Sequence, residues 1–486
     1  MMRKILQLFV LAVFLPIYSA AWAGDFEDGV EAYKNKTYSA AIEKFRGLAE
    51  TNDARAQTFL GLMYARGQGV KQDYAEAARF YRLAAEQGVA GAQYGIGMLY
   101  SDGNGVERDA TEAARWLTLS ANQGNASAQF FTGISYALGR GVTQDSAAAV
   151  SWLKLAATQG FAPAQYELGS WYDEGKNVAQ DNAASFQWLK LAADQGLPDA
   201  QNKLGFAYRN GKGVTQDISE AIRLYKLAAA SGHATAQYNV GVMYRNGLGV
   251  AQDNAEAIRW YKLATAQGNA LAPYNLGIMY RFGRGVQQDN LEAIKWYKIS
   301  AERGNVNAQN NLGVIYGQGK VITQDFAEAL HWHKLAAAQG FADAQFNLGV
   351  IYENGRGVVK SYPEAIHWWK LAAAQGFADA QFNLGVMYEN GRGVVKSYTE
   401  AIRLYKLAAA QGDADVRSYL SSMYLNGEGV TQDYARAHMW ASLAAVTDKN
   451  KTKERDLIAA KMTAQQIAEA QKLARGCQAR NFKDCD

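Results

Sequence analysis

Residues 341–376 read FADAQFNLGVIYENGRGVVKSYPEAIHWWKLAAAQG, and residues 377–386 then repeat FADAQFNLGV letter for letter. A recurrence at 36 residues tests for a repeat architecture before anything else. Stepping by 36 along the chain finds glycine at Gly88 and every equivalent place to Gly412, tyrosine from Tyr64 to Tyr424, and a second glycine from Gly67 to Gly427. Eleven blocks of 36 residues therefore fill positions 53–448 without insertion, and blocks nine and ten are near duplicates.

Each block reads as two helices. In residues 341–376, Ala344, Leu348, Ile351 and Tyr352 follow helical periodicity, and Gly355 offers the left-handed residue that ends a helix. The second helix is predicted to start at Ser361, a place held by Asp in nine blocks, with Glu three residues later in eight. That spacing reads as a capping box, and Pro363 suits the first turn. Its buried face is expected to contain Ala365, Trp368, Ala372 and Ala373. One hairpin cannot bury both of its apolar faces, so stacking must do it. Small residues at Ala56, Gly61, Ala77 and their equivalents allow close approach. The expected fold is all-α: a right-handed α-solenoid superhelix with a 36-residue period, and no strand signal anywhere.

The ends depart from the pattern. Residues 1–23 have a basic start (Arg3, Lys4), an apolar run from Ile5 to Tyr18 and an Ala21-Trp22-Ala23 site, the features of a secretory signal peptide. Residues 24–52 form a degenerate capping unit, with Asn52 in the glycine place. Residues 449–486 are a terminal cap: a helix from Thr463 with Gln466 as box partner, and Cys477 with Cys485. These two cysteines, the only ones in the chain, are expected to form a local disulfide in an oxidising compartment. Periplasmic or secreted localisation follows from this reading. So does a product that is not an integral membrane protein, since no later apolar run is long enough to span.

The repeat pattern A-x-A-Q-x-x-L-G-x-x-Y-x-x-G-x-G-V-x-x-D-x-x-x-A-x-x-W-x-x-x-A-A-x-x-G, nearly complete in 237–268 and 345–376, resembles the Sel-1-like repeat family, a relative of tetratricopeptide repeats. The resemblance covers about residues 25–448. It implies right-handed superhelices that act as scaffolds and adaptors, and many bacterial members are exported. One branch with a cysteine pair in each repeat has been linked to penicillin binding; this chain lacks those pairs.

Composition restrains the function classes. Net charge is +4 over 486 residues, and losing Arg3 and Lys4 would leave about +2. Such balance argues against nucleic acid as a partner. Ser151-Trp152-Leu153-Lys154 matches S-x-x-K of penicillin-recognising enzymes, yet both residues sit at outer-face places and no S-D-N or K-T-G follows. The five histidines, His233, His331, His333, His367 and His438, form no ligand set, so neither metal nor cofactor nor catalytic residue is expected. A basic row on the second helix (Arg79/Arg82, Arg223/Lys226, Arg259/Lys262, Lys295/Lys298, Arg403/Lys406) is partly offset by Glu three places earlier.

The most informative stripe lies on the first helix, which lines the concave groove in tetratricopeptide-like solenoids. It reads Thr235-Asn239-Val242-Asn246, Leu271-Asn275-Ile278-Phe282, Asn307-Asn311-Val314-Gln318, Asp343-Asn347-Val350-Asn354 and Asp379-Asn383-Val386-Asn390. Five asparagines in register would make a ladder of donors and acceptors able to hold an extended peptide backbone. The alternative is that these amides bond a neighbouring turn. The expected function is a non-catalytic, monomeric scaffold in the bacterial envelope, holding a protein or peptide, or a glycan, along that face. The competing readings are a cell-wall or β-lactam hydrolase and a structural part of an envelope or polysaccharide-export assembly.

Overall fold

The computed structural model describes residues 23–480, 482 and 485. The signal-peptide reading therefore lies outside the described residues. Among the described residues there are 26 α-helices, one short 3-10 turn and no strand. The chain divides into two compact units, residues 1–240 with 248–250, and residues 241–247 with 251–486. Each is an all-α stack of helix pairs.

The pair Ala342–Asn354 and Tyr362–Ala374 shows how the sequence closes one repeat. Asn354 ends the first helix because Gly355 follows at φ +68, a left-handed conformation that glycine alone enters cheaply. Ser361 then caps the second helix, its hydroxyl accepting from the Glu364 N–H. Ser397 caps the next repeat in the same way, and in the remaining nine the cap is Asp, whose carboxylate accepts one or two N–H groups of the first turn.

The glutamate three places on does not complete a capping box in these repeats. The N–H it would accept is already committed: Asp73 donates to the Tyr64 carbonyl at 3.0 Å, and Ser361 to Tyr352 at 2.9 Å. That bond ties the start of the second helix to the tyrosine near the end of the first. The glutamate turns instead to the cation three residues later, as in Arg79–Glu76 at 2.8 Å, Arg259–Glu256 at 2.7 Å and Lys295–Glu292 at 2.8 Å. Exposed pairs of this kind contribute little to stability, a few tenths of a kcal/mol each. A reciprocal capping box does form at Thr463 and Gln466.

Inside each pair a large side chain of the second helix sits on a glycine of the first. Tyr225, Tyr261, Tyr297, Trp369 and Tyr405 fill this place and are fully buried. The burial differs from expectation by one residue: Trp369, not Trp368, is the deep tryptophan, and Trp368 and Ala373 are only partly buried. Residue 369 points at Gly349, where any Cβ would collide with the indole. In the last repeat both members change together. Ser421 replaces the glycine, Ala441 replaces the aromatic residue, and the Ser421 hydroxyl donates to the Ala437 carbonyl at 2.8 Å.

A second row stitches one repeat to the next. Gln345, buried in its first helix, donates to the Ala337 carbonyl of the preceding repeat, and its own carbonyl accepts from Gln375 at 2.8 Å. The same pair recurs at Gln93–Gln123, Gln129–Gln159, Gln165–Gln195, Gln309–Gln339 and Gln381–Gln411. Where Pro273 takes the glutamine place, Arg303 donates to the carbonyls of Thr265 and Asn269. Where Arg417 takes it, the guanidinium reaches the carbonyls of Ala409 and Leu443 and the Thr447 hydroxyl.

The ends are closed by the chain itself. Helices Ala23–Lys34 and Tyr38–Glu50 bury Phe26 and Phe45 against Phe59, the last two rings stacked 4.8 Å apart. Asn52 holds φ +67 in the glycine place. Helices Thr452–Ala459 and Ala464–Ala479 cover Tyr434–Thr447 through a cluster that includes Leu443, Ile458 and the disulfide-bonded Cys477 and Cys485.

Candidate functional site

The asparagine stripe does not form one continuous ladder. The Asn239 amide donates to Asn202 at 2.9 Å, and Asn347 to Asn310 at 3.3 Å; each partner stands one place before the stripe in the preceding repeat. Asn275 is buried and accepts from Arg245 at 2.9 Å. Asn354 and Asn390 turn back to their own helix, donating to Val350 and Val386 at 2.8 and 2.9 Å. Asn246, Asp343 and Asp379 are exposed, while Asn311 and Asn383 are half-buried. The amides are thus taken up by partners outside their own register, 37 positions earlier for Asn239 and Asn347 and 30 positions earlier for Asn275.

Asn383 and Asp379 do meet in one place. A cleft of about 360 Å³ crosses the first helices Ala342–Asn354, Ala378–Asn390 and Ala414–Asn426, and Phe346, Phe382, Tyr419, Asp379, Asn383 and Asp413 are among its walls. Its aromatic side is fixed from behind. The hydroxyls of Tyr405 and Tyr419 both donate to Glu389 Oε2 at 2.7 Å, and the Tyr419 ring packs edge-on to Phe382 and Tyr405. Burial, reinforced by the Glu389 carboxylate, pushes the Tyr419 phenol up to about 12, so it stays a neutral donor at physiological pH. Asp413 caps its helix, accepting from the N–H groups of Asp415 and Val416. Asp415, also on the rim, pairs with Lys451 at 2.6 Å.

Sequence reasoning had found Asp379 and Asn383 and missed the rest of the cleft. The signal was available one place before the asparagines, where Tyr238, Tyr274, Phe346 and Phe382 recur at the repeat period. An aromatic row next to a polar one lines a face differently from amides alone.

The other candidates separate. The Ser151 hydroxyl donates to the Ala147 carbonyl on an exposed helix face, the bond of a helical serine rather than of an activated nucleophile. His331 is exposed and His333 buried, and burial holds the latter's imidazole down to about 4. Among the described residues no group of three or more His, Cys, Asp or Glu could hold a metal ion, and no helix is long and apolar enough to cross a membrane. Part of the basic row is used internally: besides the Glu pairs, Arg82 donates to the Tyr100 hydroxyl at 2.6 Å.

Comparison with known proteins agrees with this architecture. The model of the Sel1 repeat matches eleven times in succession, at residues 54–89, 90–125, 126–161, 162–197, 198–233, 234–269, 270–305, 306–341, 342–377, 378–413 and 417–445. Among solved structures, a protective antigen of uropathogenic Escherichia coli strains, described as displaying an SLR fold, is 33% identical. The match covers 91% of this chain and 96% of that one, with a TM-score of 0.67. A Sel1 repeat protein from Oxalobacter formigenes is 30% identical over 71% of this chain and 97% of its own, with a TM-score of 0.51. No curated protein gave a significant match.

Proposed function

Because this chain belongs to the Sel1 repeat family, whose repeats are generally protein-interaction scaffolds, we propose that it is an exported, non-catalytic scaffold of the bacterial envelope. In this reading it holds an extended segment of a protein partner along its first-helix face. The observation that carries the reading is the cleft spanning three consecutive first helices, which combines aromatic surface with side-chain amide and carboxylate groups. An extended chain needs such periodic, mixed surface: rings for its side chains and amides for its backbone. Export rests on the basic, apolar and A-x-A pattern of residues 1–23.

Site-specific photocrosslinking in the native host tests it. A benzophenone amino acid at Asn347 or Asn383 should give discrete protein adducts, whereas one at Lys295 on the second helix should not. Adducts confined to Lys295 would place the working surface on the other face. Hydrolysis of β-lactam or peptidoglycan by the purified protein, abolished by Ser151→Ala, would instead support the enzyme reading.

A further inference from the structure

We infer that the cleft between Phe346 and Tyr419 receives an arginine side chain of the bound segment, an assignment that rests on the scaffold reading above. Four observations converge on it. The cleft is lined by Phe346, Ala378, Asp379, Phe382, Asn383, Asp413, Asp415, Val416 and Tyr419, three of them carboxylates and none a cation. Asp415 pairs with Lys451, and Asp413 feels the buried Arg417 guanidinium from behind; Asp379 has no ion-pair partner among the described residues. The positive ends of two helices meet the cleft, but each supplies only about half a charge. In the Ala414–Asn426 helix the Asp413 carboxylate already occupies the Asp415 and Val416 N–H groups. Asp379 is the carboxylate left for a bound cation, and the Glu389 carboxylate behind Tyr419 adds to the negative field.

The aromatic side decides which cation fits. Phe346, Phe382 and Tyr419 present ring surface within the same space, and Tyr419 is held in place by its bond to Glu389. A guanidinium is planar, weakly hydrated and able to stack on a ring while its edge bonds a carboxylate; an ammonium is a compact and strongly hydrated charge. A site that pairs rings with carboxylates therefore favours arginine over lysine. Both cations lie over rings elsewhere in the protein, but arginine comes closer, as in Arg417 4.2 Å above Phe482 and Arg115 4.1 Å from the Trp116 ring while bonded to Glu112, against 4.6 Å for Lys396 over Tyr398. A volume of about 360 Å³ holds one such side chain with its flanking backbone. Asn383 stands beside it, placed to bond a peptide group.

The test uses the full chain and four acetylated, amidated heptapeptides, Gly-Ser-Gly-X-Gly-Ser-Gly, where X is arginine, lysine, citrulline or glutamate, titrated calorimetrically to about 10 mM, enough for a weak single-residue contact. The arginine peptide should bind at least about tenfold more tightly than the citrulline peptide, its neutral isostere, and about threefold more tightly than the lysine peptide, with no binding by the glutamate peptide. The variant carrying Asp379→Asn and Asp415→Asn, neither residue being in the core, should lose about tenfold in arginine-peptide affinity at unchanged melting temperature. Equal binding of arginine and citrulline, binding of the glutamate peptide, or an unaffected double variant overturns the assignment, as does failure of every peptide to bind. Photoadducts at Asn383 do not depend on the charge of the segment, so their presence beside a failed titration would leave the scaffold standing and remove only the arginine.

Discussion

Gly277 and Tyr297 meet so closely that a Cβ on the glycine would lie 2.5 Å from Cε1 of the phenol ring. The same approach recurs at Gly61 with Tyr81, at 2.6 Å, and at Gly205 with Tyr225, at 2.9 Å. Gly133 meets Leu153 less closely, at 3.1 Å, and in the last repeat both residues change, to Ser421 and Ala441. Glycine inside a helix costs about 1 kcal/mol relative to alanine, so its recurrence here answers to packing.

Gly277→Ala should therefore destabilise the protein by about 1–2 kcal/mol, since overpacking of about 1–3 kcal/mol outweighs the propensity gained. Copying the last repeat by adding Tyr297→Ala to Gly277→Ser should remove the clash while losing aromatic burial. Urea titrations of the single and double variants would show non-additive costs if the two positions form one socket.

His333 takes the place that Tyr297 and Trp369 hold in flanking repeats, and it meets Gly313 there. Burial lowers its imidazole from the ordinary 6.5 to about 4. In that window the unfolded chain takes up a proton that the folded chain refuses, so stability falls as pH drops from about 6.5 and the loss is complete near 4. The shift corresponds to about 3 kcal/mol. Comparing the pH dependence of unfolding for the native chain and His333→Tyr should show a shallower acid slope in the variant.

Gln345→Ala strips the Ala337 carbonyl and the Gln375 amide of a partner at once. The Ala337 carbonyl keeps the Gly340 N–H at 2.9 Å and Gln375 is exposed, so the loss is that of two hydrogen bonds, about 0.5–1.5 kcal/mol each. Hydrogen exchange should quicken at the junction of these two repeats. Protection that stays unchanged there would mean the glutamines contribute nothing to coupling.

Arg417 is almost fully buried, and burial lowers its basicity. Arg417→Ala leaves the carbonyls of Ala409 and Leu443 without its guanidinium. The expected result is a loss of about 2–4 kcal/mol confined to the C-terminal cap, read as early exchange in residues 414–480. Arg417→Lys should rescue poorly, because an ammonium cannot span the same acceptors in a plane.

Helix pairing, period and most boundaries were legible because glycine and tyrosine recur where the backbone requires them. Three details were not. The capping box at Asp73 and Glu76 was inferred from spacing, but spacing is blind to the Tyr64 carbonyl that claims the Asp73 N–H. Trp368 fits helical spacing with Ala365 and Ala372, whereas depth follows the residue facing Gly349. At the front, Gly29 meets Phe45 at 2.8 Å, so the socket there is offset from the period; the turn between Ala23–Lys34 and Tyr38–Glu50 is shorter than in the repeats. Of the cleft, Asp379 and Asn383 were visible as part of a stripe. Phe346, Tyr419 and Asp413 belong to different rows, and only the stacking of three helices brings them together.

Since Gln345 and Gln381 make identical bonds backward to an alanine carbonyl and forward to a glutamine 30 residues on, one can stand in for the other. Excising residues 345–380 would set Gln381 behind Ala344 with every junction intact. The joined chain would keep the stretch FADAQFNLGV once, unchanged in sequence. The length of the array is thus free to drift by whole units while each seam stays closed.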